Sequence, residues 1–361
     1  MRRPISTDFV ATYRGSIVEN RHAVHAAIVD AAGKLLYTVG DSSRMTLARS
    51  AAKPAQALAI METGAFDQFD FDQPDLALMC ASNSSEERHI ARARQMLSKA
   101  GVSESDLRCG GHTPLSNAVN RAWIKSDFTP TAVCSNCSGK HAGMLAGAKA
   151  LGADTKDYDK PTHPLQVHVR RVVDEVIGAG PDEAAWGLDG CNLPAPAFPL
   201  HYLARMYAKF ADAGNNQAMH TAADCDPPER MNYMTRIFNA MTTYPELVAG
   251  EGRFCTVLMG AFEGTLFGKL GADGCYGIGI RECGQTKQLG AHGAIGIAVK
   301  IEDGNVNILY SAVAEILDQL QIGNEFMRGA LDKFHRPEVM NTVGAITGQV
   351  SPEFKIRAIH S

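Results

Sequence analysis

The order of the secondary-structure patterns along the chain constrains its fold more than any other feature. Two strand patterns occupy residues 16–40, where apolar residues alternate on both sides of a turn at Asp30-Ala31-Ala32-Gly33. Helical periodicity dominates residues 164–248, and strand patterns return from residue 255. Strands at both ends around a helical middle predict an α/β fold of the α+β type. Its antiparallel sheet is built from N- and C-terminal strands flanked by helices, and a helical cluster is inserted between them.

Short apolar segments carry the other predictions of secondary structure. A terminal helix is predicted over Ala312–Leu320. Buried or half-buried strands are predicted over Leu76–Ala81, Cys255–Phe262, Thr265–Gly271, Gly274–Ile280, Gly293–Ile301 and Asn305–Leu309. Without a linker or an internal repeat, residues 1–361 are predicted to form a single compact domain with two lobes. The sheet lobe takes residues from about 13–60 and 250–330, and the helical lobe takes about 61–249.

Composition and charge exclude several classes of protein. Of the 361 residues, 45% are apolar and 20% are charged, as in globular proteins with a sizeable core. A formal net charge of −4 creates no field that would attract nucleic acid. No run reaches the ~18 apolar residues of a membrane span, and residues 1–8 lack the apolar region of a secretory signal. We therefore expect a cytoplasmic protein with reduced thiols and with neither a nucleic-acid nor a membrane partner.

Ser50 and Lys53 form a Ser-x-x-Lys motif at the start of a helical pattern. Positions i and i+3 share one face of a helix, so the hydroxyl and the amine are expected within hydrogen-bond reach. A neutral lysine amine can take the serine proton and make the serine a nucleophile. Pro54 disfavours the α conformation at Lys53, which predicts a 3₁₀-like turn that still keeps the pair together. Since an isolated Ser-x-x-Lys motif often arises by chance, the function must rest on further motifs.

Four more motifs accompany the first and together give a specific resemblance. The order of Ser-x-x-Lys, a second serine near a helix start and a late Lys-x-Gly resembles penicillin-recognising serine enzymes and serine glutaminases. The longer stretches resemble the rhizobial-type (class 3) L-asparaginases over roughly residues 13–320. The motifs that carry this resemblance are Arg49–Pro54, Cys80–Ser84, Asn136–His141, Asp189–Cys191 and Gly268–Gly274.

The resemblance implies an activity and a set of catalytic residues. The expected reaction is hydrolysis of L-asparagine to L-aspartate and ammonia, by a homodimer with a fold similar to serine β-lactamases. The implied catalytic groups are two Ser-Lys tandems, Ser50–Lys53 and Ser82–Lys269. Ser50 would attack the side-chain amide with Lys53 as its base, while Ser82 and Lys269 relay a proton. The reverse assignment, in which Ser82 is acylated and Ser50 is the relay, stays open.

The same resemblance implies a zinc ion beside the substrate pocket, bound by Cys137, Lys140 and Cys191 and not expected to perform the hydrolysis. From the residues alone, the Cys134-x-x-Cys137 pair is compatible with buried structural thiols as well as with zinc or redox chemistry, and no second pair occurs at zinc-site spacing. For substrate binding, Arg49 is a candidate for the α-carboxylate and Asp189 for the α-amine.

Two other functions fit part of the sequence. A glutaminase or a β-lactam-interacting enzyme would use the same Ser-Lys chemistry, although a β-lactam-interacting enzyme is normally exported. The motif Ser82-Asn83-Ser84 also differs from the Ser-x-Asn of β-lactamase relatives, and Lys269 is followed by Leu270 where those relatives place a hydroxyl residue. A non-catalytic zinc- or ligand-binding protein would retain zinc without turnover and would tolerate replacement of Lys53.

Overall fold

The computed structural model of the chain describes residues 7–180, 182–219 and 229–359. Residues 1–6, on which part of the expectation about export rests, lie outside this description. Backbone contacts divide the chain into two compact units. The sheet unit comprises residues 1–51, 198–215 and 257–361, and the helical unit comprises residues 52–197 and 216–256. The assignment of both to a single catalytic domain stays a prediction.

The strands of the described residues lie mostly in the sheet unit. In chain order they are β1 (Phe9–Arg14), β2 (Ile17–Asp30), β3 (Leu35–Val39), β4 (Met45–Leu47), β5 (Ala185–Leu188), β6 (Pro194–Pro199), β7 (Leu266–Gly271), β8 (Cys275–Ile280), β9 (Ile295–Ile301), β10 (Glu338–Met340), β11 (Ile346–Glu353) and β12 (Arg357–Ala358). The main sheet has the order β10-β11-β1-β2-β9-β8-β7, and β3 joins β2 to β12. These pairings are antiparallel and join N-terminal to C-terminal strands, so the predicted fold class is confirmed.

The helices are distributed over both units. In chain order they are α1 (Lys53–Glu62), α2 (Ala65–Gln68), α3 (Gln73–Met79), α4 (Glu87–Lys99), α5 (Asn117–Lys125), α6 (Ser138–Ala150), α7 (Pro164–Ile177), α8 (Leu200–Met219), α9 (Glu229–Thr243), α10 (Pro245–Val248), α11 (Phe254–Ala261), α12 (Gly284–Gln288), α13 (Val306–Gln319), α14 (Glu325–Gly329) and α15 (Asp332–His335). Among the described residues, no helix is both long and apolar enough to cross a membrane.

The sheet unit packs closely because glycines replace side chains where α8 crosses the sheet. A Cβ atom on Gly296 of β9 would lie 1.8 Å from the carbonyl oxygen of Ala204. A Cβ atom on Gly277 of β8 would lie 2.1 Å from the ring of Tyr207. Both strands are fully buried, so any larger residue here would push α8 away from the sheet.

The helical unit is built around two helices that are buried on nearly every side. In α1, residues Lys53–Met61 are buried, and in α6 residues Ser138–Ala148 are buried. Helix α1 packs against α6, α7 and α9. Polar groups at the beginnings of α1 and α6 are thereby held in an apolar interior, where each needs a partner.

Three predicted strands are helical in the structure. Leu76–Ala81 lies largely in α3, Cys255–Phe262 largely in α11, and Asn305–Leu309 opens α13. In α3 and α13 the helix start is marked by capping side chains, since Asp72 and Asp75 form a capping box and Asn305 accepts from Asn307 and Ile308 N–H groups. Short, uniformly apolar runs do not distinguish a buried strand from a buried helix, which explains the errors.

Candidate active site

Ser50 lies in a 3₁₀ turn, and Lys53 is the first residue of the α-helix that follows. A 3₁₀ turn covers Arg49–Ala52, and α1 begins at Lys53 with Pro54 in its first turn. The predicted 3₁₀-like turn is therefore confirmed, and the hydrogen bond between Ser50 and Lys53 stays a prediction. Ser50 is half-buried, whereas Lys53 has no exposed surface.

The buried amine of Lys53 contacts three groups of the helical unit. It donates to the backbone carbonyl of Ala81, to Ser82 Oγ at 3.3 Å and to Cys137 Sγ at 3.2 Å. The structure thus brings Lys53 to the second serine and to one predicted zinc ligand. None of these three partners is a carboxylate.

The backbone of Ser82 is held from both sides in the loop that follows α3. Its N–H donates to the carbonyl of Val248 at 3.0 Å, and its carbonyl accepts from Arg253 Nη1 at 2.6 Å. The next N–H, of Asn83, donates to the carbonyl of Asn136 at 3.1 Å. Sequence reasoning missed Arg253 because it lies 171 residues from Ser82 and outside the recognised motifs.

Arg49 and Lys269 belong to the sheet unit. The guanidinium of Arg49 donates to Asp273 Oδ2 at 2.5 Å, and the Asp273 side chain is 73% exposed. Lys269 is buried on β7, where its amine donates to the carbonyl of Leu270 at 2.7 Å. Ser82 lies in the helical unit, so its tandem with Lys269 stays a prediction.

Four buried side chains of the helical unit form what we call the cysteine–lysine cluster: Cys137, Lys140, Asp189 and Cys191. Cys137 occupies the N-cap position of α6 without a capping hydrogen bond from its side chain, and Lys140 lies in the first turn. Lys140 Nζ is 3.0 Å from Asp189 Oδ2, and Cys191 Sγ donates to Asp189 Oδ1 at 3.0 Å. The Cys191 thiol also lies close enough to Cys137 to affect its protonation. The cluster brings together the predicted zinc ligands and Asp189.

Electrostatics favour the charged forms of Cys137, Lys140 and Asp189, whereas the interaction with Cys137 and burial raise the pKa of the Cys191 thiol well above its usual value. The neighbouring Cys191 thiol lowers the pKa of Cys137 well below its usual value despite burial, and the charges of Lys53 and Lys140 act in the same direction. Burial opposes the charge of Lys140, but the neighbouring Cys191, Cys137 and Asp189 raise its pKa overall. Burial likewise opposes the charge of Asp189, yet Lys140 and the hydrogen bonds from Cys191 and Leu193 lower its pKa overall.

The donor atoms of the cluster fit zinc chemically. Two thiols and one amine are sulfur and nitrogen donors, and the thiolate of Cys137 is favoured before any metal binds. Within the described ranges, no three His, Cys, Asp or Glu side chains are arranged to hold a metal ion. The candidate set therefore depends on Lys140 as its third donor, and Lys140 would have to release its proton on binding.

A buried histidine beside the cluster was not singled out by the sequence. His141 follows Lys140 on α6 and has no exposed surface, and its Nδ1 lies 2.6 Å from the Tyr158 hydroxyl. Burial lowers the pKa of His141 well below its usual value. Its Nε2 is buried without a hydrogen-bond partner among the described residues. An unsatisfied buried donor costs about 1–3 kcal/mol, so this atom needs an explanation.

One buried part of the helical unit thus contains a lysine amine, a serine hydroxyl and a cluster of thiols. A lysine in contact with a serine hydroxyl can exchange a proton with it, which is what acyl transfer from an amide requires.

Comparisons with known proteins identify the family. The L-asparaginase II family model matches residues 10–352. No curated protein matches the chain. A solved structure of Mglu in its tris and glutamate form is similar to 89% of this chain at 16% identity, with a TM-score of 0.33. The similarity covers 65% of the Mglu chain, which is less than two thirds of its length. The family match confirms the resemblance to L-asparaginases. The chain therefore belongs to the L-asparaginase II family, a family of hydrolases that act on amides.

Proposed function

We propose that this protein hydrolyses the side-chain amide of L-asparagine to L-aspartate and ammonia by Ser-Lys catalysis. The observation that carries the proposal is the buried Lys53 amine, 3.3 Å from the Ser82 hydroxyl, in a chain of the L-asparaginase II family. The contact supports a proton path between a serine and a lysine, and the family supports the amide as the bond that is broken.

In the proposed reaction, Ser50 Oγ attacks the amide carbon and its proton passes to Lys53. The tetrahedral intermediate then collapses, the leaving nitrogen takes a proton, and ammonia departs from an acyl-serine ester. Water hydrolyses this ester to aspartate. Ser82 relays protons through its hydrogen bond to Lys53, and Lys269 completes the second tandem.

Two observations bear on which serine is acylated. Ser50 is half-buried, whereas Ser82 is only 5% exposed, and a nucleophile must be reached by its substrate. This difference supports Ser50 as the nucleophile. The direct contact between Ser82 and Lys53 supports the reverse assignment, in which Ser82 is acylated and Ser50 relays the proton.

Substrate recognition is proposed to use Arg49 for the α-carboxylate and Asp189 for the α-amine. Arg49 already binds Asp273, so the substrate would share or replace that exposed carboxylate. Asp189 already binds Lys140. The α-amine of the substrate would therefore need a carboxylate oxygen of Asp189 that can still accept a hydrogen bond.

We further propose that zinc binds Cys137, Lys140 and Cys191. When bound, it would supply a fixed positive charge near the substrate and connect α6 to the turn that carries Cys191. No step of the hydrolysis is assigned to the metal. We also propose that the protein is a homodimer and is located in the cytoplasm.

The test is a substrate panel with the wild type, Ser50→Ala and Ser82→Ala. Ammonia release from L-asparagine and L-glutamine is measured beside acylation by a chromogenic β-lactam, and mass spectrometry identifies any acylated serine. We expect turnover of L-asparagine that falls about 10²–10⁴-fold in each variant. A folded wild type that releases no ammonia from L-asparagine would refute the proposal, and acylation by the β-lactam alone would favour the penicillin-recognising alternative.

A further inference from the structure

The hydrogen bonds of Tyr158 determine where His141 carries its proton. The phenol oxygen of Tyr158 accepts from the backbone N–H of Arg108 at 2.9 Å and lies 2.6 Å from His141 Nδ1. Within the part of the chain that the structure describes, these are the partners of the buried hydroxyl. Because Arg108 N–H is a donor, the phenol proton is used only if Tyr158 donates it to His141 Nδ1. The neutral ring then carries its own proton on Nε2.

The buried Nε2–H group therefore needs an acceptor, and one lies close by. The backbone carbonyl of Cys191 is near enough to the ring to act on its protonation. At ordinary hydrogen-bond distances and angles, however, His141 Nε2 has no partner among the described residues. A buried donor without a partner thus lies close to the backbone carbonyl of a cysteine of the cysteine–lysine cluster.

Cys191 lies in a tight turn that is braced mainly by Asp189. Asp189 Oδ1 accepts from the N–H groups of Cys191 at 2.9 Å and Leu193 at 3.1 Å, and the next residue, Asn192, has a φ of 72°. These contacts lie on the N–H side of the turn. A bond from His141 to the Cys191 carbonyl would tie its other side to α6, which also carries Cys137 and Lys140.

We propose that His141 is a positioning residue of the cysteine–lysine cluster. Its Nε2–H donates to the Cys191 carbonyl when the cluster holds zinc, and so fixes the Cys191 thiol opposite Cys137 and Lys140. Tyr158 acts one step further out by setting the tautomer of the ring. Partners that orient metal ligands in this way typically contribute 10–100-fold to metal affinity. The inference rests on the proposed zinc site.

The test measures the zinc dissociation constant of the full chain by competition with a chromophoric chelator. His141→Phe keeps a buried ring but removes both nitrogens, and we expect zinc affinity to fall by about 10–100-fold. His141→Gln can accept from Tyr158 and still donate from its amide, so its affinity should stay near that of the wild type. Tyr158→Phe should cause a smaller loss, because the ring remains but its tautomer is no longer fixed.

The outcomes distinguish failure of the role proposed for His141 from failure of the proposed zinc site. The thermal midpoint of each metal-free variant shows whether the protein folds. Zinc binding by the wild type with unchanged affinity in a folded His141→Phe variant would overturn the inference alone. A loss in His141→Gln as complete as in His141→Phe would also overturn it, because His141 would then act as a ligand. A wild type that binds no zinc would refute the proposed zinc site, and the inference with it.

Discussion

Two buried lysines of the helical unit have opposite surroundings. Lys140 pairs with the carboxylate of Asp189 at 3.0 Å, and its neighbours raise its pKa. Lys53 is equally buried, but it contacts a carbonyl, the Ser82 hydroxyl and the Cys137 sulfur. A lysine held as a cation by a carboxylate is a poor base, whereas Lys53 contacts a hydroxyl and a sulfur, two groups with which it can exchange a proton. This difference supports the proposed catalytic role of Lys53 and the proposed structural or metal-binding role of Lys140.

The largest expected effect tests the catalytic side of this comparison. Lys53→Met removes the amine but keeps an unbranched buried chain, and kcat for L-asparagine should fall by about 10²–10⁴-fold. Steady-state ammonia release measures this. Lys149→Met is the matched control: within the described ranges Lys149 on α6 donates to the carbonyls of Ala100 and Gly101, and its replacement should leave kcat unchanged. Equal losses in both variants would show that replacing a lysine merely perturbs the helical unit.

The second prediction tests the ion pair between Lys140 and Asp189. Asp189→Asn removes the carboxylate that pairs with the buried ammonium of Lys140, which should lower the free energy of unfolding by about 3–5 kcal/mol. Because folding lowers the pKa of Asp189, its contribution is present above the ordinary carboxyl value of about 3.9 and is lost as pH falls further. Urea unfolding at pH 7 and below pH 4 should therefore show a difference from the wild type that narrows in acid. A constant or absent difference would contradict the assigned ion pair.

The third prediction concerns the hydroxyl that Lys53 contacts. Ser82→Ala should lower kcat by about 10²-fold, because proton transfer through Ser82 is lost. Its control, Ser84→Ala, removes a hydrogen bond to the Ala249 carbonyl in the same loop. That variant should lose about 1 kcal/mol of stability while kcat stays near the wild-type value. If Ser84→Ala lost as much activity as Ser82→Ala, the effect would belong to the loop and not to the hydroxyl.

A smaller effect is expected from the residue that holds the Ser82 backbone. Arg253→Met removes the donor to the Ser82 carbonyl, a charged hydrogen bond of about 1.5–3 kcal/mol, and should reduce kcat by roughly tenfold with little change in KM. Arg253→Lys retains a charge and should recover part of the rate. A rise in KM at constant kcat would instead assign Arg253 to substrate binding.

The smallest effect distinguishes the two cysteines of the Cys-x-x-Cys pair. Cys134 is buried with its sulfur 4.0 Å from Thr131 Oγ1, whereas Cys137 contacts Lys53 and Cys191. Cys134→Ala should keep both zinc content and turnover, while Cys137→Ala should lose zinc. The zinc content of the two purified variants is the measurement. Loss of zinc from Cys134→Ala would show that the proposed set of zinc ligands is wrong.

Much of the fold was predictable because periodicity survives where one face of an element is exposed. The β2–β3 hairpin and helix α7 follow such periodic patterns, whereas β7–β9 are buried at every residue and were recognised as short apolar segments. Helix α3 was not recognised as a helix, because Asp75–Met79 are buried on every side and no amphipathic period remains. Strands β10–β12 were missed because their residues are mostly exposed and carry no strong apolar alternation.

The site was predictable in residue type but not in its contacts. Local spacing indicated the turn that holds Ser50 and Lys53, since both lie in one short segment. The contact of Lys53 with Ser82 joins residues 29 positions apart, and that of Lys140 with Asp189 joins residues 49 apart. Such contacts depend on how helices pack, and no local pattern encodes them.

The account is tested most directly by measuring ammonia release and bound zinc side by side in Lys53→Met and Lys140→Met. We predict that Lys53→Met retains zinc but loses at least about 10²-fold in kcat for L-asparagine, whereas Lys140→Met loses zinc. Wild-type turnover by a folded Lys53→Met variant would contradict the assignment of catalysis to Lys53.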